Sequence, residues 1–178
     1  MFRTMMSVRQ AAFMGAAVVI VSLIVGTLSQ TARGAEDSPR VSVRGGGTTM
    51  IEGGTGSAGG FVPVLTTVAF HASSAGGGIA GSFECLARAP RAATGVGSAD
   101  FTTNAMYVTG DVTSVKVSGN SITLSGSATI TGLGAGTGVP FTFVTQKGGP
   151  GTAAVLTTDG TTHFEFHEVL VEGSFDVN

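Results

Sequence analysis

Cysteine is nearly absent from this chain of 178 residues, in which Cys85 is the only one. A single thiol cannot form an internal disulfide, so the fold has to be held together by its apolar core. Free cysteine is among the most buried residue types, which favours Cys85 as a small core residue over a nucleophile or a site of intermolecular pairing. The only cysteine lies far downstream of the apolar N-terminal run, so a lipoprotein anchor is excluded as well.

Basic residues are also scarce. After residue 34 the chain has six Lys and Arg residues against eleven Asp and Glu residues. This excess of negative charge leaves no basic patch for phosphate groups, so neither nucleic acid nor an anionic lipid surface is an expected partner.

Enzyme signatures are missing too. The chain has no G-x-S-x-G elbow, and the stretches "GGGTTM" and "GLGAGTG" lack the Gly-Lys-Ser/Thr ending of a phosphate loop. We therefore expect no bound cofactor, and the motifs give no positive indication of an enzyme.

The N-terminus has the features of a targeting signal. Arg3 and Arg9, with no acid beside them, precede the apolar run "AAFMGAAVVIVSLIVGT" at 11–27 and the small-residue stretch "TARGAED". We predict a cleaved signal peptide over 1–34 and a protein that is secreted, periplasmic or held at the cell surface. The run is close to the lower limit of about 17–25 residues for a membrane span, so an uncleaved N-terminal anchor is the alternative.

Glycine dominates the next segment, "GGGTTMIEGGTGSAGG" at 45–60. Such a composition loses much conformational entropy on ordering and offers little apolar area in return. We predict a flexible leader over 35–60 and a single domain over 61–178.

Within that domain apolar and polar residues alternate, which is typical of half-buried strands. In "SITLSGSATIT" at 121–131, Ile122, Leu124 and Ile130 share one face while serine and threonine occupy the other. The Gly119-Asn120 and Asp159-Gly160 pairs predict hairpin turns. The predicted strands are 61–72, 79–88, 101–110, 112–118, 121–131, 139–146, 152–158 and 162–177, with a further short candidate at 40–44.

Hairpin follows hairpin without long crossovers or a helical period. This order predicts an all-β fold, a single small antiparallel up-and-down β-barrel of about eight strands, with a β-sandwich as the alternative.

The stretches "GSFECLA" and "MYVTGDVTSVKVSGNSITLSG" resemble small secreted bacterial proteins of uncharacterised function, in which a Gly-rich leader precedes a β domain. The resemblance covers residues 61–178 and implies secretion and a barrel-like fold, but it gives no residue a role. The general shape also resembles calycin-like and allene-oxide-cyclase-like barrels, none of whose functional positions is matched here.

The stretch "THFEFHEVLVEG" at 162–173 contains the candidate site residues. On a strand, His163, Glu165 and His167 share one face, and Phe164 and Phe166 share the other. The two imidazoles would be about 13 Å apart along the strand, too far to bind one zinc ion, so we expect no metal site.

Further along the same strand the two faces conflict. The histidine face continues as Val169 and Val171, whereas the phenylalanine face continues as Glu168 and Glu172. A bulge near residues 167–168 would bring both apolar sets into the core, and we prefer that solution. A straight strand would instead point the histidines and Glu165 inward, where they would need polar partners.

Two classes of function follow. The first is a non-enzymatic module that binds a small apolar ligand or a cell-surface partner, or that has a structural role. The alternative is a small-barrel isomerase, cyclase or hydrolase with catalytic residues His163, Glu165 and His167 turned inward. Glu84 and Tyr107 are further polar candidates, for which a wet strand face and a barrel-end aromatic are the simpler interpretations. A weaker hypothesis is self-assembly through exposed strand edges.

Overall fold

The structure is a computed structural model that describes residues 40–54, 64–89 and 103–178; the predicted signal peptide over 1–34 lies outside them. In this part of the chain all regular structure is β-strand, as predicted. The eight strands are β1 (Ser42–Gly54), β2 (Val64–Ala75), β3 (Gly78–Ala89), β4 (Thr103–Ser118), β5 (Ser121–Gly132), β6 (Gly136–Gln146), β7 (Ala153–Asp159) and β8 (His163–Val177).

The strands form a closed barrel in chain order. Each strand pairs antiparallel with the next, and β1 closes the sheet by pairing antiparallel with β8. The prediction of an up-and-down barrel is therefore confirmed over the sandwich. Closure gives every described strand a partner on both sides, so the described sheet has no edge strand. Among the described residues there is also no helix long and apolar enough to cross a bilayer.

The glycine-rich segment is part of the barrel. The prediction of a flexible leader over 35–60 is wrong for residues 42–54, which form β1 between β2 and β8. These residues can form a strand inside the barrel because glycine has no side chain and leaves space for neighbouring rings. A Cβ atom on Gly45 would lie 2.6 Å from both Phe175 Cδ1 and Phe70 Cζ, so the missing side chain is replaced by two phenylalanine rings.

A second difference concerns β4. The predicted strands over 101–110 and 112–118 are parts of one strand, which is bent by a register shift between Val112 and Ser114. The extra residue reverses the alternation, so Val112 is buried on one side of the bulge and Val115 and Val117 pack against the core on the other. The predicted number of about eight strands is thus correct, because β1 replaces the strand lost by this fusion.

Phenylalanines fill the middle of the barrel. Their ring centroids lie 4.9 to 6.0 Å apart, within the range of favourable aromatic pairs. The cluster consists of Phe70, Phe83, Phe141, Phe143 and Phe175. An interior packed in this way has no room for a ligand at this level.

The two ends of the barrel differ. At the end that we call the lower end, β2 and β3 are joined through Gly76 and Gly77, and β4 and β5 through Gly119 and Asn120. Gly119 has a φ of 62°, as the predicted hairpin turn requires. The opposite or upper end is where β1 ends, β2 begins, and β7 is joined to β8 through residues 160–162, one residue more than the predicted two-residue turn.

We expect Gly45→Ala to destabilise the barrel by about 1–3 kcal/mol, because the added methyl group overpacks the phenylalanine cluster. Its neighbour Gly46 is the matched control, since a Cβ atom there meets nothing closer than the Val68 carbonyl oxygen at 3.5 Å. Urea unfolding of the two variants and the wild type measures both effects. Equal losses in the two variants would contradict the packing argument.

Candidate functional site

The first half of β8 shows its histidines to solvent. The His163 and His167 side chains are 55% and 52% exposed, whereas Phe166 packs against the core. His163 Nδ1 lies 2.5 Å from Asp159 Oδ1, and His167 Nε2 lies 2.6 Å from Glu165 Oε1. The three candidate catalytic residues are therefore on the outer face, each histidine beside a carboxylate, and the inward arrangement that the enzymatic hypothesis needs is not formed.

The bulge in β8 exists, but it is further along than predicted. The register with β1 shifts where Thr48 pairs with Glu172 and Thr49 pairs with Leu170, which leaves Val171 as the extra residue. As a result Val171 is 49% exposed instead of buried, and Glu168 keeps the inward face of the phenylalanines. Moving the bulge by three residues is what places a carboxyl group inside the barrel.

Glu168 lies in a cluster of buried polar side chains with Thr49 and Thr66. The three residues belong to the adjacent strands β8, β1 and β2 and are 2%, 0% and 1% exposed. Both hydroxyl groups contact the same carboxyl oxygen, Glu168 Oε2, with Thr66 Oγ1 at 2.9 Å, and the two hydroxyl oxygens also contact each other. We call these residues the polar cluster.

The contacts of the polar cluster indicate a protonated carboxyl group. Three oxygen atoms make three mutual contacts, but Thr49 and Thr66 each have only one hydroxyl proton. Two protons can fill two of the three contacts. The third contact becomes a hydrogen bond when Glu168 Oε2 carries a proton of its own.

The electrostatic surroundings of Glu168 favour the same state. All described Lys, Arg and His side chains are exposed, so no cation faces the carboxyl group among them. Burial raises the pKa of Glu168 above its ordinary value, and the hydrogen bonds from Thr49 and Thr66 offset that rise only in part. Both observations favour the neutral acid form of Glu168, which can donate as well as accept a hydrogen bond.

Cys85 is a core residue, as expected. Its side chain is 3% exposed, and burial raises the pKa of its thiol well above the ordinary value, with a further contribution from the negative charge of Glu168 once that group ionises. The thiolate is the reactive form of cysteine, so a thiol held in this way is not a nucleophile.

Apolar residues surround the polar cluster on the side of the upper end. On each of three neighbouring strands, the inward residue two positions closer to that end is half-buried instead of buried: Val64 above Thr66, Ile51 above Thr49, and Phe166 above Glu168. Phe164 is the next inward residue of β8 toward the upper end. Its ring stacks against Phe166 with centroids 5.9 Å apart and lies close to Gly134 in the turn between β5 and β6. We call this set of half-buried apolar residues above the polar cluster the upper recess.

Sequence reasoning missed the polar cluster. The alternation places Glu168 on the face of Phe164 and Phe166, which is the correct signal, but the bulge predicted near residues 167–168 turns Glu168 outward. Thr49 lies within the predicted leader. Glu84 and Tyr107, the other two candidates, both lie on the outer surface.

Neither a cluster of metal ligands within the described residues nor a similar known protein is found. Among residues 40–54, 64–89 and 103–178, no three side chains of His, Cys, Asp or Glu are placed to share a metal ion. No family model, curated protein or solved structure matches the chain.

Glu168→Gln tests the protonation state, because it keeps the shape and the hydroxyl contacts but removes the titrating proton. The native pKa of Glu168 lies above its ordinary value of 4.5, so as pH rises the unfolded state loses this proton before the native state does. The wild type therefore loses stability from about pH 4.5 upward, until the raised pKa is passed, and the variant lacks this loss. We expect urea unfolding to show the variant gaining stability relative to the wild type as pH rises above about 4.5.

The other carboxylates are the same in both proteins, so their titration cancels in this difference. A difference that stays constant with pH would mean that the pKa of Glu168 is not raised in the native state, and a difference that turns against the variant as pH rises would mean that this pKa is lowered.

His167→Ala tests the outer position of the histidines. The imidazole is half-exposed and its carboxylate partner Glu165 is 42% exposed, so the pair is screened by solvent. We expect the free energy of unfolding to change by no more than about 0.5 kcal/mol at neutral pH. A loss well above that value in a denaturation curve would show that His167 has a buried role.

Proposed function

We propose that this barrel is a binding module that works outside the cytoplasm and takes a small, mainly apolar ligand into the upper recess. The observation that carries the proposal is the contrast between the two levels of the interior. Phenylalanines fill the middle completely, whereas the inward residues Ile51, Val64 and Phe166 near the upper end remain half-buried above a polar floor. Mouths of β-barrels are frequent positions for small-ligand sites.

The chemistry of the lining defines the ligand class. The walls are aliphatic and aromatic, so they favour a hydrocarbon or an aromatic body. The floor has one neutral acid and two hydroxyl groups, which together can accept and donate hydrogen bonds but cannot neutralise an ionised group. A neutral ligand with an apolar body and one polar end, such as an alcohol or a ketone, fits this distribution better than a fatty acid anion.

Binding is favoured over catalysis. A proton-transfer enzyme needs an acid and a base with pKa values matched to their tasks. In the described interior the titratable groups are Glu168 and Cys85, and burial raises the pKa of both, which favours their neutral forms. The histidines that could act as bases lie on the outer face, so the isomerase, cyclase or hydrolase alternative lacks a base at this position.

The location outside the cytoplasm is supported by the basic start and apolar run of residues 1–27. A barrel that is stable without any disulfide is compatible with that destination, since its one cysteine is buried and protected from oxidation. A purely structural role is the competing possibility within the same class, and ligand binding distinguishes the two.

Binding of the neutral, apolar fluorophore N-phenyl-1-naphthylamine tests the proposal. We expect its emission to rise when it enters the upper recess of the wild type. Val64→Phe narrows the recess, because the larger ring extends over the polar cluster, and should weaken binding by about tenfold.

Val155→Phe is the matched control. It introduces the same ring at another half-buried valine, which faces outward from β7 beside His167, and should leave the dissociation constant within about twofold. If the wild type did not bind the fluorophore, or if both variants weakened it equally, the upper recess would not be the ligand site.

A further inference from the structure

The outer surface of β2 to β5 has a depression that is separate from the upper recess. It has a volume of about 380 Å³. A row of four directly paired residues runs across it, in the order Thr67, Leu86, Tyr107 and Thr131. Neighbouring strands are about 4.8 Å apart, so the row is about 14 Å long.

The centre of this row is apolar. Leu86 and Tyr107 are half-buried and lie side by side on β3 and β4, which gives a flat patch made of one aromatic ring and one aliphatic side chain. Tyrosine combines an apolar ring face with a hydroxyl group at its edge, and such a side chain suits a ligand that is partly apolar and partly wet.

The rim of the depression is polar and carries both signs of charge. Along β3, Glu84 and Arg88 lie two residues before and two residues after Leu86, and both are exposed. Thr67 and Thr131 add a hydroxyl group at each end of the row. The rim therefore offers a strong acceptor, a strong donor and two groups that can act as either.

We propose that this depression binds a neutral oligosaccharide. A sugar hydroxyl can donate to the Glu84 carboxylate and accept from the Arg88 guanidinium, whereas an anionic ligand would be repelled by Glu84 and a cationic one by Arg88. The C–H face of a pyranose ring is apolar and matches the Leu86–Tyr107 patch. The elongated row favours linked sugars over a single ring.

The surrounding surface agrees with this ligand class. Towards the lower end of β5, the outward side chains next to the depression are Thr129, Ser127, Ser125 and Thr123. A hydroxyl-rich surface of this kind extends the set of donors and acceptors that a longer sugar chain would meet.

The composition of the chain supplies a direct reporter. Tyr107 is the single tyrosine and the chain has no tryptophan, so tyrosine emission comes from this depression alone. We would titrate the full chain with three neutral hexasaccharides, of β-1,4-glucose, α-1,4-glucose and β-1,4-N-acetylglucosamine, and with hexagalacturonate as the anionic comparator. We expect a saturable change in tyrosine emission with at least one neutral sugar and none with hexagalacturonate.

Variants then assign the contact. With the sugar that binds, isothermal titration calorimetry should show affinity reduced about tenfold in Tyr107→Ala and retained within about threefold in Tyr107→Phe, which keeps the ring. Val144→Ala, on the outward face of β6, is the control and should bind like the wild type. Unchanged naphthylamine binding by Tyr107→Ala would verify its fold and keep this site distinct from the upper recess.

Three results would overturn the proposal. They are no change in tyrosine emission with any of the neutral sugars, binding of hexagalacturonate alone, and equal affinity of the wild type and Tyr107→Ala. A short peptide that shifts the emission where the sugars do not would assign the depression to a protein partner instead.

Discussion

The structure depends on one volume constraint, which is the match between phenylalanine rings inside the barrel and glycines on the strands that face them. An eight-stranded barrel has an interior just wide enough for side chains. Five phenylalanines occupy its middle, and the rings of two of them, Phe70 and Phe175, lie where a Cβ atom on Gly45 would have to be. A larger residue at this position would push β1 away from β2 or β8. The sheet can therefore close only if the core packs against glycine here.

Because phenylalanines fill the middle of the barrel, the proposed ligand site lies at the upper end. A residue inserted into β8 at Val171 reverses the inward face, so that Phe175 enters the phenylalanine cluster below the bulge while Glu168 remains inside above it. The cost of an unpaired buried charge raises the pKa of this carboxyl group and favours its protonated form, which shares hydrogen bonds with Thr49 and Thr66. A packed apolar residue would satisfy the fold at least as well. The proposed ligand would account for a polar floor beneath half-buried apolar walls, which stability alone does not require.

The alternation of inward and outward side chains along each strand also determines which residues form the outer surface. Because every second residue points outward, the hydroxyl groups of β5 and the Leu86–Tyr107 pair form one continuous outer face, while Val144, Val155 and Val169 lie on the outer face of β6 to β8. The upper recess and the outer depression are on opposite sides of the sheet. An occupant of one therefore has no steric reason to exclude an occupant of the other, and the two proposed sites are chemically distinct.

The sequence by itself determined the class of fold, because period-two alternation and the Gly119-Asn120 turn are local signals that need no knowledge of neighbouring strands. It also favoured the phenylalanine side of "HFEFH" as the inward one. Only the tertiary structure decided that the glycine-rich segment forms β1. The missing side chain at Gly45 leaves room for the rings of Phe70 and Phe175, which are distant in the sequence. The tertiary structure also decided the position of the bulge in β8, because register is fixed by the pairing of Thr49 with Leu170 across the closing seam. That seam brings together Thr49, Thr66 and Glu168, which are up to 119 residues apart in the chain.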